Sequence, residues 1–196
     1  MPVSALDPTP ALVLIDLQKG IVATPSAHPV ENIVTNAALL AAAFRRRRLP
    51  VVLVNVTGGA PGRTDIPRPA GTPPADWADL VEDLDVHEGD LRVTKRCWNA
   101  FYDTALDEEL RARGVTQLVL AGIATSMGVE STARSAHEHG YNVVLVTDAM
   151  TDRSADAHTN SIERVFPKLG ERASTTEVIA LLEQTEPAHS SWRAPA

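Results

Sequence analysis

Short runs of apolar residues, long enough for a strand and too short for a buried helix, punctuate this chain: ALVLI at 11–15, VVLVNV at 51–56, LRVT at 91–94, QLVLA at 117–121 and NVVLVT at 142–147. Most are apolar throughout. A strand wetted on one face alternates in character, whereas a strand covered on both faces does not, so these runs predict a parallel sheet with helices above and below it. A weaker sixth strand is expected near 172–175. Between the runs, helical spacing appears at 30–48, 103–113, 126–139, 154–169 and 176–184. Thr104, with acids following it, suits the start of the second of these helices; Gly114 suits its end, and Gly140 suits the end of the third. Strand and helix in repetition give a right-handed α/β fold wound on both faces of the sheet.

With 196 residues, 44% of them hydrophobic, the chain can build one domain with a substantial core. That domain is expected to span residues 1–184, with 185–196 as a flexible tail. A net charge of −7 argues against a nucleic-acid partner, because phosphate binding needs a basic stripe. The one basic run, Arg45 to Arg48, suits the end of a helix, where cations face the negative end of the dipole. A single cysteine, Cys97, leaves no internal disulfide framework and no Cys-rich zinc site. No apolar stretch reaches the roughly 18 residues that span a bilayer, and the first residues lack a basic start followed by an apolar run, so no membrane partner and a cytoplasmic location are expected. The connection at 57–77 is rich in Gly and Pro. Structureless loops beyond about 12 to 15 residues are usually functional or disordered, so it is a candidate lid or oligomer contact.

In a doubly wound sheet, ligands bind beyond the carboxyl ends of the strands, so the informative residues follow strands. Strand one ends in Ile15-Asp16-Leu17-Gln18, which sets a carboxylate just past an apolar run. On its own, Asp16 reads as a loop hydrogen-bonder or as a site carboxylate whose pKa burial would raise unless a cation stood beside it. Strand three ends in Val93-Thr94-Lys95 and offers such a cation at the same edge, though a lone lysine there is equally a solvated one. Strand four runs through Gly122-Ile123-Ala124-Thr125-Ser126-Met127-Gly128 into a helix. The N–H groups at the start of a helix are unpaired and carry the positive end of its dipole, so the helix start around Gly128 is a candidate for binding an anion or oxyanion.

Four segments in order, ALVLIDLQ at 11–18, VTKRCWNAF at 93–101, LVLAGIATSMGVESTA at 118–133 and GYNVVLVTDAM at 140–150, resemble the isochorismatase-like hydrolase superfamily. Often called cysteine hydrolases, its members include nicotinamidases, other amidases and isochorismatases. The resemblance extends over about residues 10–183 and implies a six-stranded, three-layer parallel sheet in the order 3-2-1-4-5-6. In the amidases an Asp after strand one is general base and acid, a Lys after strand three assists it, and a Cys opening the helix after strand four attacks. Onto this chain the resemblance carries Asp16 and Lys95 as catalytic residues, and it sets Gly128 where the nucleophile would stand. It also implies a backbone oxyanion site at Ala124 and Gly128, in a turn with a cis peptide between Ile123 and Ala124.

Glycine offers nothing to attack with, so a covalent thiol route is not expected. Isochorismatases also carry glycine there, and their reaction needs no nucleophilic side chain: an acid protonates a vinyl ether carbon and water adds to the resulting cation. The chain nonetheless departs from them. Their KWRYSAF is here Lys95-Arg96-Cys97-Trp98-Asn99-Ala100-Phe101, so a substrate-holding Arg becomes Cys97, and their Tyr-Ala-His turn is here Ala124-Thr125-Ser126. Isochorismate is therefore not the expected substrate. Cys97 follows Lys95 by two residues and would share its face in extended chain, but it lacks the helix N-terminus that makes thiolate attack productive; a packed thiol is expected.

The hydroxyls of Thr125 and Ser126 have no histidine beside them in the motif and read as helix caps. Where nicotinamidases carry metal-binding histidines after strand two, this chain reads Asn55-Val56-Thr57-Gly58-Gly59, so no metal and no other cofactor is expected. His137 and His139 are two apart on a helix and cannot share a face, while His158 reads as a packing or hydrogen-bonding residue. Candidate substrate contacts are Gln18, which equally suits ordering a loop, with Trp98, Asn99 and Thr125. Phe101 is expected in the core, and Asp148, at the end of strand five, is expected to bond loop N–H groups. The expected activity is hydrolysis of a small molecule by Asp16 and Lys95 acid/base catalysis with water as nucleophile. The alternatives are a non-catalytic ligand-binding or scaffolding protein and an unconventional amidase. The resemblance further implies a homo-oligomer, a dimer or larger.

Overall fold

The structure, a computed structural model, describes residues 3–66 and 71–184; the expected tail at 185–196 lies outside them. Strands β1 (Pro10–Ile15), β2 (Val51–Val56), β3 (Leu91–Lys95), β4 (Gln117–Ile123), β5 (Asn142–Thr151) and β6 (Glu171–Ala173) form one six-stranded sheet in the order β3-β2-β1-β4-β5-β6. Every neighbouring pair is parallel. The helices are α1 (Lys19–Val22), α2 (Val30–Arg46), α3 (Leu106–Ala112), α4 (Glu130–Glu138), α5 (Ala155–Asn160) and α6 (Thr175–Gln184). Alternate residues of one strand feed two cores. Leu12 and Leu14 of β1 pack with α2 and α6, while Ala11, Val13 and Ile15 pack with α3 and α4 on the opposite face. That is why β1 is apolar at every position: each face is removed from water by its own layer of helices.

The turn chemistry accounts for several boundaries. α3 starts at Leu106, three residues later than expected, because the Thr104 hydroxyl donates to Ala100 O and accepts from Leu106 N, leaving Ala105 at the N-cap. α2 ends within the basic run, and Arg45 turns back to grip Asp90 through Nε (3.1 Å) and Nη2 (2.7 Å). The expected helix at 126–139 opens instead as a wide π-helical turn, Thr125–Val129, before α4. The expected helix at 154–169 is three pieces: α5, a π-helical turn at Ser161–Val165 and a 3-10 turn at Phe166–Lys168. Pro167 has no N–H to continue the ladder, which accounts for the tightening there.

β5 runs ten residues, past a register irregularity opposite Leu120 and Gly122. Asp148 therefore lies inside the strand rather than at its end. Its Oδ1 still accepts a backbone N–H, that of Thr175, together with the Thr175 hydroxyl, and so holds the start of α6.

Two close approaches shape the carboxyl edge of the sheet. At Gly122, φ is +123° and a Cβ would lie 2.1 Å from Ile15 O, so only glycine lets the last residues of β1 and β4 stand this near. Further on, residues 77–81 return antiparallel to the segment after β1: Gly20 N donates to Trp77 O, Lys19 N to Asp79 O and Val81 N to Leu17 O. A Cβ on Gly20 would lie 2.0 Å from Trp77 Cδ1, so the indole is seated on the glycine. The far end of the 57–77 connection is thereby pinned beside the strand that ends in Asp16.

Candidate active site

Asp16 is the first residue past β1. Its φ of +53° is left-handed, a conformation that Asp tolerates better than most residues, and its N–H donates to Val54 O (2.9 Å). Lys95 ends β3, two strands away, and reaches across the end of β2. Its Nζ lies 2.6 Å from Asp16 Oδ2 and donates a second bond to Cys97 O (3.2 Å). Both side chains are buried, Lys95 at 1% exposure and Asp16 at 6%. The other carboxyl oxygen, Asp16 Oδ1, is buried without a hydrogen-bond partner. Burial raises the Asp16 pKa to about 6; Lys95 pulls it down through its charge and its hydrogen bond but does not win. A carboxyl poised in that range can give a proton and take one back.

Beyond β4 the chain passes a cis peptide between Ile123 and Ala124, as the resemblance implies, and enters the π-helical turn. Gly128 is buried there. A Cβ on it would meet Ile15 Cγ2 at 2.9 Å, Asp16 Oδ2 at 3.2 Å and Ile123 O at 3.7 Å. The structure thus brings Asp16, Lys95 and Gly128, from three separate strand ends, to one place.

The proposed hydroxyl caps are corrected. Ser126 does not accept a bond at the helix start; its N–H and its hydroxyl both donate to Asp152 Oδ2, each at 2.8 Å, so a carboxylate from the end of β5 is the cap. Thr125 is fully buried and does have a histidine beside it: its Oγ1 lies 2.8 Å from Nδ1 of His158, brought in by α5. Sequence reasoning missed Asp152 and this contact. With β5 ended at 147, nothing placed residue 152 at the site, and no spacing rule joins residues 125 and 158.

The remaining candidates divide by what holds them. The Gln18 carboxamide donates to Val56 O (3.1 Å) and Trp77 O (3.2 Å) and accepts from Val56 N (2.7 Å), so it fastens the loop to the sheet. Asn99 Oδ1 accepts from Phe101 N (2.9 Å). Trp98 is 60% exposed, and Cys97 is half-buried. Phe101 is buried, as expected, and stacks on His139 at 5.0 Å between ring centroids. Asn55, near the end of β2, donates to Ala78 O and accepts from the Thr94 hydroxyl. Among the described residues, no three His, Cys, Asp or Glu side chains are grouped to hold a metal ion, and no helix is long and apolar enough to cross a membrane.

A doubly wound parallel sheet with a buried Asp–Lys pair and a π-helical turn at its carboxyl edge defines an α/β protein whose charged and polar side chains gather at the strand ends. The chain belongs to the isochorismatase family: the isochorismatase domain matches residues 10–177. It is 44% identical over 176 residues to the uncharacterized isochorismatase family protein YwoC of Bacillus subtilis, covering 86% of this chain and 92% of that one. It is 40% identical over 181 residues to the uncharacterized isochorismatase family protein YecD of Escherichia coli O157:H7, covering 89% and 96%. A solved isochorismatase family protein from Burkholderia thailandensis superposes with a TM-score of 0.88 at 45% identity, over 91% of this chain and 98% of that one.

Proposed function

We propose that this protein is a hydrolase of a small molecule, with Asp16 as the proton-transferring residue, Lys95 as its electrostatic partner and water as the nucleophile. The observation that carries this reading is the free, buried Oδ1 of Asp16, next to an oxygen held 2.6 Å from Lys95 Nζ. A buried carboxyl oxygen without a protein partner is costly unless protonated or met by a ligand or water, so it is the atom from which a proton would be delivered. Lys95 fixes Oδ2 and thereby leaves Oδ1 as the working oxygen.

In the proposed reaction, Asp16 protonates the substrate at the atom whose gain of a proton weakens the scissile bond. Water adds to the electron-poor carbon, and Asp16 recovers the proton that the water sheds, so one water is divided between the two products. Gly128 takes the place of a thiol nucleophile in this scheme, and no acyl-enzyme forms. The backbone from Ala124 to Gly128 faces the charge that develops on the substrate.

A screen of amides, esters and vinyl ethers for turnover tests this reading, with Asp16→Asn beside the parent chain. Turnover that falls by about a hundredfold or more in Asp16→Asn supports it, the scale expected of a lost acid/base group. Turnover that survives the substitution would overturn it.

A further inference from the structure

The side chains that anchor the turn at 124–128 come from the far side of the sheet and are not used by the Asp16–Lys95 pair. Asp152 is 2% exposed. Its Oδ2 takes both the N–H and the hydroxyl of Ser126, its Oδ1 accepts from Ser154 N (3.3 Å), and its carbonyl accepts from Ala27 N (2.7 Å). One residue thus joins the start of the α4 turn, the start of α5 and the loop before α2. The neighbouring Thr125 is fastened separately, through its hydroxyl, to His158. Residues 125 and 126 are two of the three that separate Ala124 from Gly128, so the turn is tied at both before it reaches Asp16.

We propose that Asp152 and His158 are positioning residues of this site: by holding Ser126 and Thr125 they fix the backbone from Ala124 to Gly128 against Asp16. Thr125 Oγ1 and His158 Nδ1 share this hydrogen bond, the ring acting as acceptor or donor according to its tautomer. Burial holds His158 below the ordinary histidine range, His28 adds to this, and Asp152 acts in the opposite sense. His28 faces it from the loop before α2, with ring centroids 4.6 Å apart, and is itself within 3.0 Å of the Thr151 hydroxyl through Nδ1. The consequence for turnover rests on the reading of Asp16 and Lys95 given above; the fixing of the backbone does not.

Amide hydrogen exchange on the full chain tests the proposal without a substrate. In His158→Leu, exchange at residues 125–129 should rise about tenfold, the scale of one lost buried hydrogen bond, and in Asp152→Ala, which loses both bonds to Ser126, it should rise further, while β1 and β2 keep their protection. His158→Asn, whose carboxamide can donate or accept in the place of Nδ1, should stay near the parent chain. Thr125→Val removes the His158 bond from the other side and should reproduce the His158→Leu pattern, while Ser126→Ala removes the hydroxyl bond to Asp152 but keeps the N–H bond and should give a smaller rise than Asp152→Ala, which keeps the test decisive if a truncation fails to fold. Unchanged exchange at 125–129, or a rise shared equally by β1 and β2, would overturn the proposal. Where turnover is found, the truncations should lower kcat with KM held; where none is found, the reading of Asp16 and Lys95 fails and the exchange result still decides for or against the positioning role.

Discussion

The Asp16 carboxylate rests against the backbone of Gly128: a Cβ at that position would lie 3.2 Å from Asp16 Oδ2 and 2.9 Å from Ile15 Cγ2. The second distance is shorter than packed side chains adopt, and Ile15 is β-branched and fully buried, so it has little freedom to yield. Glycine therefore has a packing role at this position. It lets the carboxylate lie where a side chain would otherwise start.

From this contact it follows that Gly128→Cys will not simply install a thiol in a waiting space. Ile15 and Asp16 must both retreat, and overpacking of this kind costs about 1–3 kcal/mol. Urea denaturation of Gly128→Ala and Gly128→Cys should show that loss in both variants. Parent-like stability in both would mean that the strand end gives way freely.

A carboxyl that titrates near 6 and acts first as an acid sets the direction of the pH profile. On any substrate found, kcat/KM should be level at low pH and fall as pH rises through about 6, approaching tenfold per unit above it. A rate that climbs through the same range would assign Asp16 the role of a base in the slow step.

The same group governs how stability responds to pH. The Asp16 pKa is raised from 3.8 to about 6, so between those values the folded chain binds more protons than the unfolded one. Its contribution is therefore fully present below 3.8 and lost as pH rises through about 6. Lys95 is the group that moderates this loss. Lys95→Met leaves the buried carboxylate unpaired, with an expected cost of about 3–5 kcal/mol at pH 8 that shrinks at pH 5, where Asp16 is largely protonated. Denaturation at the two pH values measures it; an equal loss at both would show that packing, rather than charge, is what Lys95 supplies.

The sheet was legible in the sequence because burial on both faces writes itself as uninterrupted apolar runs; Asp16 stood out because it directly follows such a run, and Lys95 because it closes the edge strand Leu91–Lys95, where polar and apolar residues alternate. β5 broke that rule. Its register irregularity carries the strand through Thr147-Asp148-Ala149-Met150-Thr151, so polarity at Asp148 reads falsely as an end, and Asp152 went unnoticed. The His158 contact with Thr125 joins residues 33 apart through tertiary packing, for which local spacing has no sign. Gln18 and Asn99 were visible as polar residues at the right edge, but the pattern could not tell that backbone groups hold them.

The 57–77 connection is held at its end by the contact between Gly20 and Trp77, which makes a last prediction. A Cβ on Gly20 would lie 2.0 Å from Trp77 Cδ1 and 2.1 Å from Nε1, so Gly20→Ala must drive the indole from its seat. The displacement bears directly on the bonds that Trp77 O accepts from Gly20 N and from Gln18 Nε2. The expected outcome is a loss of about 1–3 kcal/mol together with faster proteolysis between residues 57 and 76, while Gly89→Ala, where nothing lies within 4 Å, behaves as the parent chain. Cleavage rates that match in all three proteins would mean that the indole does not hold the connection. Because Gln18 follows Asp16 by two residues, a released Trp77 should also disturb the site, and Gly20→Ala should weaken ligand binding without altering the pH at which Asp16 titrates.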